Sequence, residues 1–172
     1  MTRDIALRFN HVYGETFKIP EAHISKDIPL LSGTDGRKMS KSYKNYIELF
    51  ANEKELQNYI NKIVTDSLLP GEPKKTKDSV LFNYFKAFSS KEFLLEVEKM
   101  FLDGKGWGDL KKELFTLVDK ELKIYREKYY HYLDNPNEVE KILIEGENKV
   151  SSIAEKKLSE IRKKVGIRAL DE

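Results

Sequence analysis

The sequence has no cysteine among its 172 residues, which excludes disulfide bonds and thiolate metal sites. It has only three histidines, at positions 11, 23 and 131, and their spacing is not that of a metal site. No run approaches the roughly 20 apolar residues that a membrane-spanning helix requires. We therefore expect a soluble, cytoplasmic protein that has no membrane partner.

An excess of one charge is also lacking. The 31 Lys and Arg residues face 29 Asp and Glu residues, which leaves a net charge of only +2. A general nucleic-acid binder would be more basic, so any RNA contact must come from local basic faces. What the sequence does have is 40% hydrophobic residues, including nine Phe and nine Tyr, enough for a sizeable core.

The first fifty residues predict a mixed structure. Thr2 is a candidate N-cap for a helix that Gly14 would end. The apolar residues that share one face of this helix are Ile5, Phe9 and Val12. Residues 17–20 alternate like the end of a strand, and Leu30 to Gly36 form a predicted loop because Ser, Gly and Asp cluster there.

Beyond residue 50 the spacing of apolar residues predicts helices only. Asn52 and Glu55 form a capping-box pattern, and the Pro- and Gly-containing segment 69–77 is a predicted loop. Further predicted helices cover 78–88, 91–102, a long stretch from Asp109, and another after Asn135–Pro136 that Gly166 ends. A helical bundle is the expected architecture.

The segment Lys38-Met39-Ser40-Lys41-Ser42 carries the chemistry. Lysine places a compact charge on a flexible stem, which suits it to a moving polyphosphate, and the serine hydroxyls can donate to phosphate oxygens. A Lys-rich loop can also be a solvated surface segment without function. The five residues together, however, match the second signature of class I aminoacyl-tRNA synthetases.

Several separated segments extend this likeness in the same order along the chain. They are Thr2 to Ala6, Leu31 to Ser42, Val64 to Ser67 and Gly106 to Lys112. With these segments the sequence resembles the bacterial-type tryptophanyl-tRNA synthetases. The His-x-Gly-His signature of that family is not found in the sequence, so we expect a C-terminal part of such an enzyme that is inactive when isolated.

The resemblance implies a fold and a set of roles. Residues 1–50 would be the tail of a Rossmann-like catalytic domain, and residues 51–172 a helical anticodon-binding domain. The full-length enzyme would activate tryptophan with ATP and Mg²⁺, transfer it to tRNA(Trp), and form a homodimer, whereas this part could be monomeric. Lys38 and Lys41 would be catalytic, and the whole loop from Lys38 through Met39, Ser40 and Lys41 to Ser42 would bind ATP.

Residues for RNA contact are less clearly marked. The basic candidates on the long helices are Lys111, Lys112, Arg126 and Arg162, although most such residues lie on solvated faces. We expect the tyrosines at 125, 129 and 132 to pack in the core because they follow helical spacing. Trp107 is predicted to be a packing anchor. Two other interpretations stay open: a tRNA-binding module without catalysis, and part of a tyrosyl-tRNA synthetase.

Overall fold

The computed structural model describes residues 1–24 and 31–167, which contain six helices. In chain order they are α1 (Thr2–Tyr13), α2 (Glu53–Asn61), α3 (Val80–Phe88), α4 (Lys91–Leu102), α5 (Trp107–Asp134) and α6 (Pro136–Val165). Within these ranges the only β-type pairing is one isolated antiparallel bridge between Ser32 and Lys38. The prediction of a mainly α protein is confirmed.

The described residues divide into two compact units. One consists of residues 1–24 and 135–167, and the other of residues 31–134. Residues 31–50 therefore belong to the same unit as α2 to α5. The domain boundary near residue 50 that the resemblance implies stays a prediction.

The unit 31–134 is a small helical bundle. Helix α5 packs against α2 and α3, and α3 packs against α4. The buried hydrophobic residues are Leu56, Ile60, Ile63, Leu81, Phe82, Tyr84, Phe85, Val97, Phe101, Leu110, Leu114, Val118 and Leu122. The Phe101 ring meets the Phe82, Phe85 and Trp107 rings edge-on at 5.5, 6.4 and 5.6 Å. The predicted packing role of Trp107 is thus confirmed.

The helix starts follow local capping chemistry. The Asn52 side chain accepts from the Glu55 N–H at 3.0 Å, and the Glu55 carboxylate accepts from the Asn52 N–H at 3.1 Å. This confirms the predicted capping box. Helix α3 begins at Val80 rather than at residue 78, because Ser79 is its N-cap and Asp78 has a left-handed φ of 62°.

Two predictions for the first unit are wrong. Met1, and not Thr2, is the N-cap residue of α1. Residues 17–20 form no strand. The Asn10 side chain explains the second difference, because its oxygen accepts from the Phe17 N–H at 2.9 Å and its amide donates to the Phe17 carbonyl at 2.7 Å. The backbone polar groups of Phe17 therefore need no neighbouring strand.

Helix α6 ends at the predicted residue, but none of its own residues is buried. Gly166 closes it in the left-handed conformation, with φ of 78°. No residue of α6 is buried, and several of its large apolar residues are exposed, with Leu143 at 66% and Ile153 at 70%. Hydrogen bonds tie it to the segment after α1, since Lys157 and Lys164 donate to the carbonyls of Thr16 and Glu15.

Candidate functional site

The lysine motif lies on a loop that begins with a tight turn. The Gly33 N–H donates to the Arg37 carbonyl at 2.6 Å, and the Gly36 N–H donates to the Gly33 carbonyl at 2.9 Å. Gly36 has φ of 81°, a left-handed conformation that glycine adopts without strain. The prediction of a loop is confirmed for residues 31–36, whereas Leu30 lies outside the described residues.

One buried amide holds the motif in place. The Asn45 side chain, with only 3% of the residue exposed, accepts from the Ser40 N–H at 2.8 Å. Its nitrogen donates to the Lys38 carbonyl at 3.1 Å and to the Asp35 carboxylate at 2.7 Å. The Asn45 carbonyl accepts from the Thr34 N–H at 2.8 Å. Asn45 was not among the residues predicted from the sequence.

Asp35 is the acidic partner inside the loop. Hydrogen bonds, first from Asn45 and then from the Arg37 backbone and side chain, lower the pKa of Asp35 from 3.8 to about 2. The carboxylate also pairs with the Arg37 guanidinium at 2.7 Å, and that guanidinium lies 4.5 Å from the Tyr43 ring centre. The charge of Arg37 is therefore matched within the loop.

The motif lysines are not matched in this way. Lys38, Lys41 and Lys44 are exposed, and no ion pair involves any of them in the described part of the chain. The Lys44 N–H donates to the Lys41 carbonyl at 3.2 Å, which curls the segment into a turn. Lys44 was not predicted, although counting charges on either side of the motif would have found it. Three uncompensated positive charges on one short turn favour an anion.

The loop is attached to the helical bundle at three points. The Tyr84 hydroxyl of α3 donates to the Ser32 carbonyl at 2.8 Å, and burial raises the pKa of Tyr84 to about 12. The Val64 N–H donates to the Thr34 carbonyl at 2.8 Å. The Met39 side chain faces an apolar cavity of about 190 Å³, whose lining also includes Leu31, Ile47, Leu49, Ile60, Tyr84, Phe88, Val118 and Leu122.

The basic residues expected to face RNA have unlike surroundings. Arg126 is only 7% exposed and pairs with Asp119 at 2.7 Å, so it does not lie on a solvated face as expected. Lys111 donates to the Asn61 carbonyl at 2.8 Å, and burial lowers the pKa of Lys111. Lys112 and Arg162 are exposed. Lys111 and Arg126 thus have partners other than the loop lysines, and Arg162 belongs to the other compact unit.

The expected burial of the tyrosines on α5 is wrong. Tyr125 is 59% exposed, and Tyr129 and Tyr132 are each 39% exposed. Tyr129 nevertheless stacks on Phe50, with ring centres 4.5 Å apart and planes inclined by 12°. Arg126 continues the four-residue spacing of the buried α5 residues Leu110, Leu114, Val118 and Leu122, so the buried stripe of the helix becomes polar at that position.

Two features are absent from residues 1–24 and 31–167. No cluster of three or more His, Cys, Asp or Glu side chains suited to a metal ion occurs in these ranges. Nor does any helix there combine the length and apolar character that crossing a membrane requires.

Comparisons with known proteins assign the chain to a family. The family described as tRNA synthetases class I (W and Y) matches residues 1–168, and the chain belongs to that family. The tryptophan–tRNA ligase of Neisseria meningitidis is 46% identical over 170 residues, which are 99% of this chain and 51% of the relative. That of Pseudomonas syringae pv. tomato is 44% identical over 172 residues, 98% of this chain and 38% of the relative.

A solved structure agrees with these relatives. The tryptophanyl-tRNA synthetase from Campylobacter jejuni, complexed with ADP and tryptophan, has a TM-score of 0.80 and 39% identity to this chain. The alignment covers 95% of this chain and 52% of that one. The chain thus spans about half or less of the length of the proteins that it matches.

Proposed function

We propose that the chain takes part in a tryptophan–tRNA ligase reaction, in which tryptophan is activated by ATP and then transferred to tRNA(Trp). The observation that carries this proposal is the turn with the unpaired lysines Lys38, Lys41 and Lys44, held on a fixed backbone. Two further points support it: the chain belongs to the class I family, and the relatives described above are tryptophan–tRNA ligases.

In the activation step Lys38 and Lys41 would bind the triphosphate of ATP and then the leaving pyrophosphate. Lys38 and Lys41 can approach phosphate oxygens without first leaving a carboxylate partner, so their charge is fully available when negative charge develops on the leaving group. The Ser40 oxygen accepts from the Ser42 N–H at 3.2 Å, and its own hydroxyl hydrogen can still donate to phosphate. Both serines therefore belong to the proposed ATP-binding loop, together with Met39.

Mg²⁺ would enter this site bound to the phosphates of ATP. Such ions commonly keep several waters and bridge phosphate oxygens instead of occupying an all-protein cage. The donor set of the loop fits this role, since lysines and hydroxyls bind phosphate oxygens while Asp35 is already engaged by Asn45 and Arg37. When bound, the ion would neutralise part of the phosphate charge.

We extend the proposal to the domains and to RNA. Residues 1–50 would complete a Rossmann-like catalytic domain that forms the homodimer, and residues 51–172 would bind the anticodon part of tRNA(Trp). Exposed Lys112 and Arg162 are the better candidates for phosphate contacts, and Lys111 can join them only if its bond to Asn61 opens. Arg126 is not a candidate for RNA contact, because its guanidinium donates to the Ala51 carbonyl and to Asp119 within the protein.

Titration with inorganic pyrophosphate in the presence of Mg²⁺ tests the proposal. We expect Lys38→Ala and Lys41→Ala each to weaken binding about tenfold, the effect of losing a charged hydrogen bond worth about 1.5 kcal/mol. Lys91→Ala is the matched control, because Lys91 is also an exposed lysine but starts α4. Equal affinities for all four proteins would contradict the assignment of the loop.

A filter-binding series with transcribed tRNA(Trp) tests the RNA partner. Lys112→Ala should weaken binding and lower its salt dependence by about one ion. Transfer RNA binding by a chain whose pyrophosphate affinity ignores Lys38 and Lys41 would instead favour a tRNA-binding module without catalysis.

A further inference from the structure

Asn45 is a buried polar side chain that is hydrogen-bonded to the motif backbone. The partners fix its orientation: the Ser40 N–H is a donor and must face the amide oxygen, whereas the Lys38 carbonyl and the Asp35 carboxylate are acceptors and must face the amide nitrogen. Both hydrogens of the nitrogen are thereby used. The side chain holds its place by three directional bonds at 2.7 to 3.1 Å.

The bonded groups are those that set the direction of the lysines. The Lys38 carbonyl and the Ser40 N–H flank Met39, whose side chain faces the apolar cavity. Lys41 follows Ser40 directly, and its carbonyl accepts from the Lys44 N–H. Asn45 thus fixes the backbone on both sides of Met39, and through it the starting points of the Lys38 and Lys41 side chains.

The surrounding loop is built to admit this amide. A Cβ atom on Gly33 would lie 2.4 to 2.7 Å from the Asn45 amide group and carbonyl oxygen, closer than real Cβ contacts. Glycine at position 33 is therefore needed for the approach. Asp35, whose side chain is 28% exposed, is held in turn by Arg37, so the acceptor for Asn45 is itself fixed.

We propose that Asn45 is a positioning residue of the phosphate-gripping loop, acting through the backbone of Lys38 and Ser40 and touching no phosphate itself. The inference rests on the proposed function of the loop. Without the amide bonds the turn would sample many conformations. A ligand would bind only the fraction of molecules with both lysines in place, which weakens the apparent affinity by that fraction.

Pyrophosphate titration of the full 172-residue chain tests the proposal, with Asn45→Ala as the first variant. The second variant is the double exchange Asp35→Asn with Asn45→Asp, which keeps the net charge and can restore the bonds to Ser40 and between positions 35 and 45. We expect about tenfold weaker binding for Asn45→Ala, from the loss of buried hydrogen bonds, and about threefold for the exchange. The backbone ¹⁵N order parameters of residues 38–44 should fall from about 0.85 toward 0.6 in Asn45→Ala.

The salt dependence separates positioning from charge. Asn45→Ala retains every lysine, so the slope of log affinity against log ionic strength should equal that of the wild type, whereas Lys41→Ala should lower it. Asn45→Ala with wild-type affinity, beside a weakened Lys41→Ala, overturns the positioning role and leaves the proposed function standing. Wild-type binding that ignores both lysines overturns both. If Asn45→Ala does not fold, an exchange variant that binds as weakly as the double Lys38→Ala, Lys41→Ala chain, while its order parameters for residues 38–44 stay at the wild-type values, refutes the role.

Discussion

Replacing Arg126 with methionine should destabilise the bundle. The Arg126 side chain, 9% exposed, donates to Asp119 at 2.7 Å and to the Ala51 carbonyl at 3.2 Å, and lies 3.8 Å from Glu53. Methionine fills much of the same volume but donates nothing. Asp119 and the Ala51 carbonyl would then lose their partners in the interior.

The magnitude follows from how buried each partner is. Breaking a fully buried ion pair costs about 3–5 kcal/mol, but the Asp119 side chain is 19% exposed, so water can replace part of the lost bond. The Ala51 carbonyl, on a residue only 4% exposed, adds about 1 kcal/mol for an unmade hydrogen bond. We expect a total loss of about 2–3 kcal/mol.

Urea unfolding followed by circular dichroism measures this loss. With a slope of about 1–3 kcal/mol per molar urea, the midpoint should fall by about 0.7–3 M. Arg162→Met, at an exposed position, is the control and should change stability by less than about 0.5 kcal/mol. If Arg126→Met keeps wild-type stability but loses tRNA binding, Arg126 is an RNA contact and the structural role is wrong.

Three further perturbations can be checked directly. A ¹³C titration should place the Asp35 pKa near 2, and Asn45→Ala should raise that pKa toward 3.8. Because the pKa of Asp35 is lower in the folded state than in the unfolded state, its carboxylate stabilises the fold above about pH 4. This contribution is lost as the pH falls toward 2. Tyr84→Phe removes the bond to Ser32 and should cost about 1 kcal/mol in urea unfolding. Lys74 is 1% exposed, and its ammonium group donates to three backbone carbonyls. Lys74→Met should therefore lower the free energy of unfolding by about 2–3 kcal/mol, whereas Lys75→Met should leave it almost unchanged.

Local chemistry predicted the helices well. The start of α2 at its capping box and the bounds 91–102 of α4 follow from side chains only a few residues apart. The exposure of the apolar residues of α6 could not be predicted in the same way, because periodicity shows which face is apolar but not what covers that face. The same holds for the tyrosines of α5: the last buried residue of the helix is Arg126, and Tyr129 and Tyr132 continue the helical spacing beyond it.

The site was predicted only in part. Lys38 and Lys41 stand in a motif, so the sequence alone identifies them. The role of Tyr84 depends on a bond to Ser32 that spans 52 residues of sequence, and no local pattern reveals it. Asn45 lies close to the motif, yet an Asn in a loop usually caps a turn, and only the three-dimensional structure shows that its amide spans both sides of Met39.

The loop combines an ordered backbone with lysine side chains that have no acidic partner among the described residues. A loop that grips a leaving group needs charged side chains free to move, but a loop that is free throughout must be ordered each time it binds. Here the backbone is held by Asn45 from within the loop, and by Tyr84 and Val64 from the helical bundle, while the ammonium groups of Lys38 and Lys41 have no acidic partner among the described residues. The backbone of the loop is therefore ordered by folding, and we expect the remaining flexibility to lie mainly in the lysine side chains. Substitutions at the anchors should change affinity through the population of the bound conformation, whereas substitutions at the lysines should change it through charge.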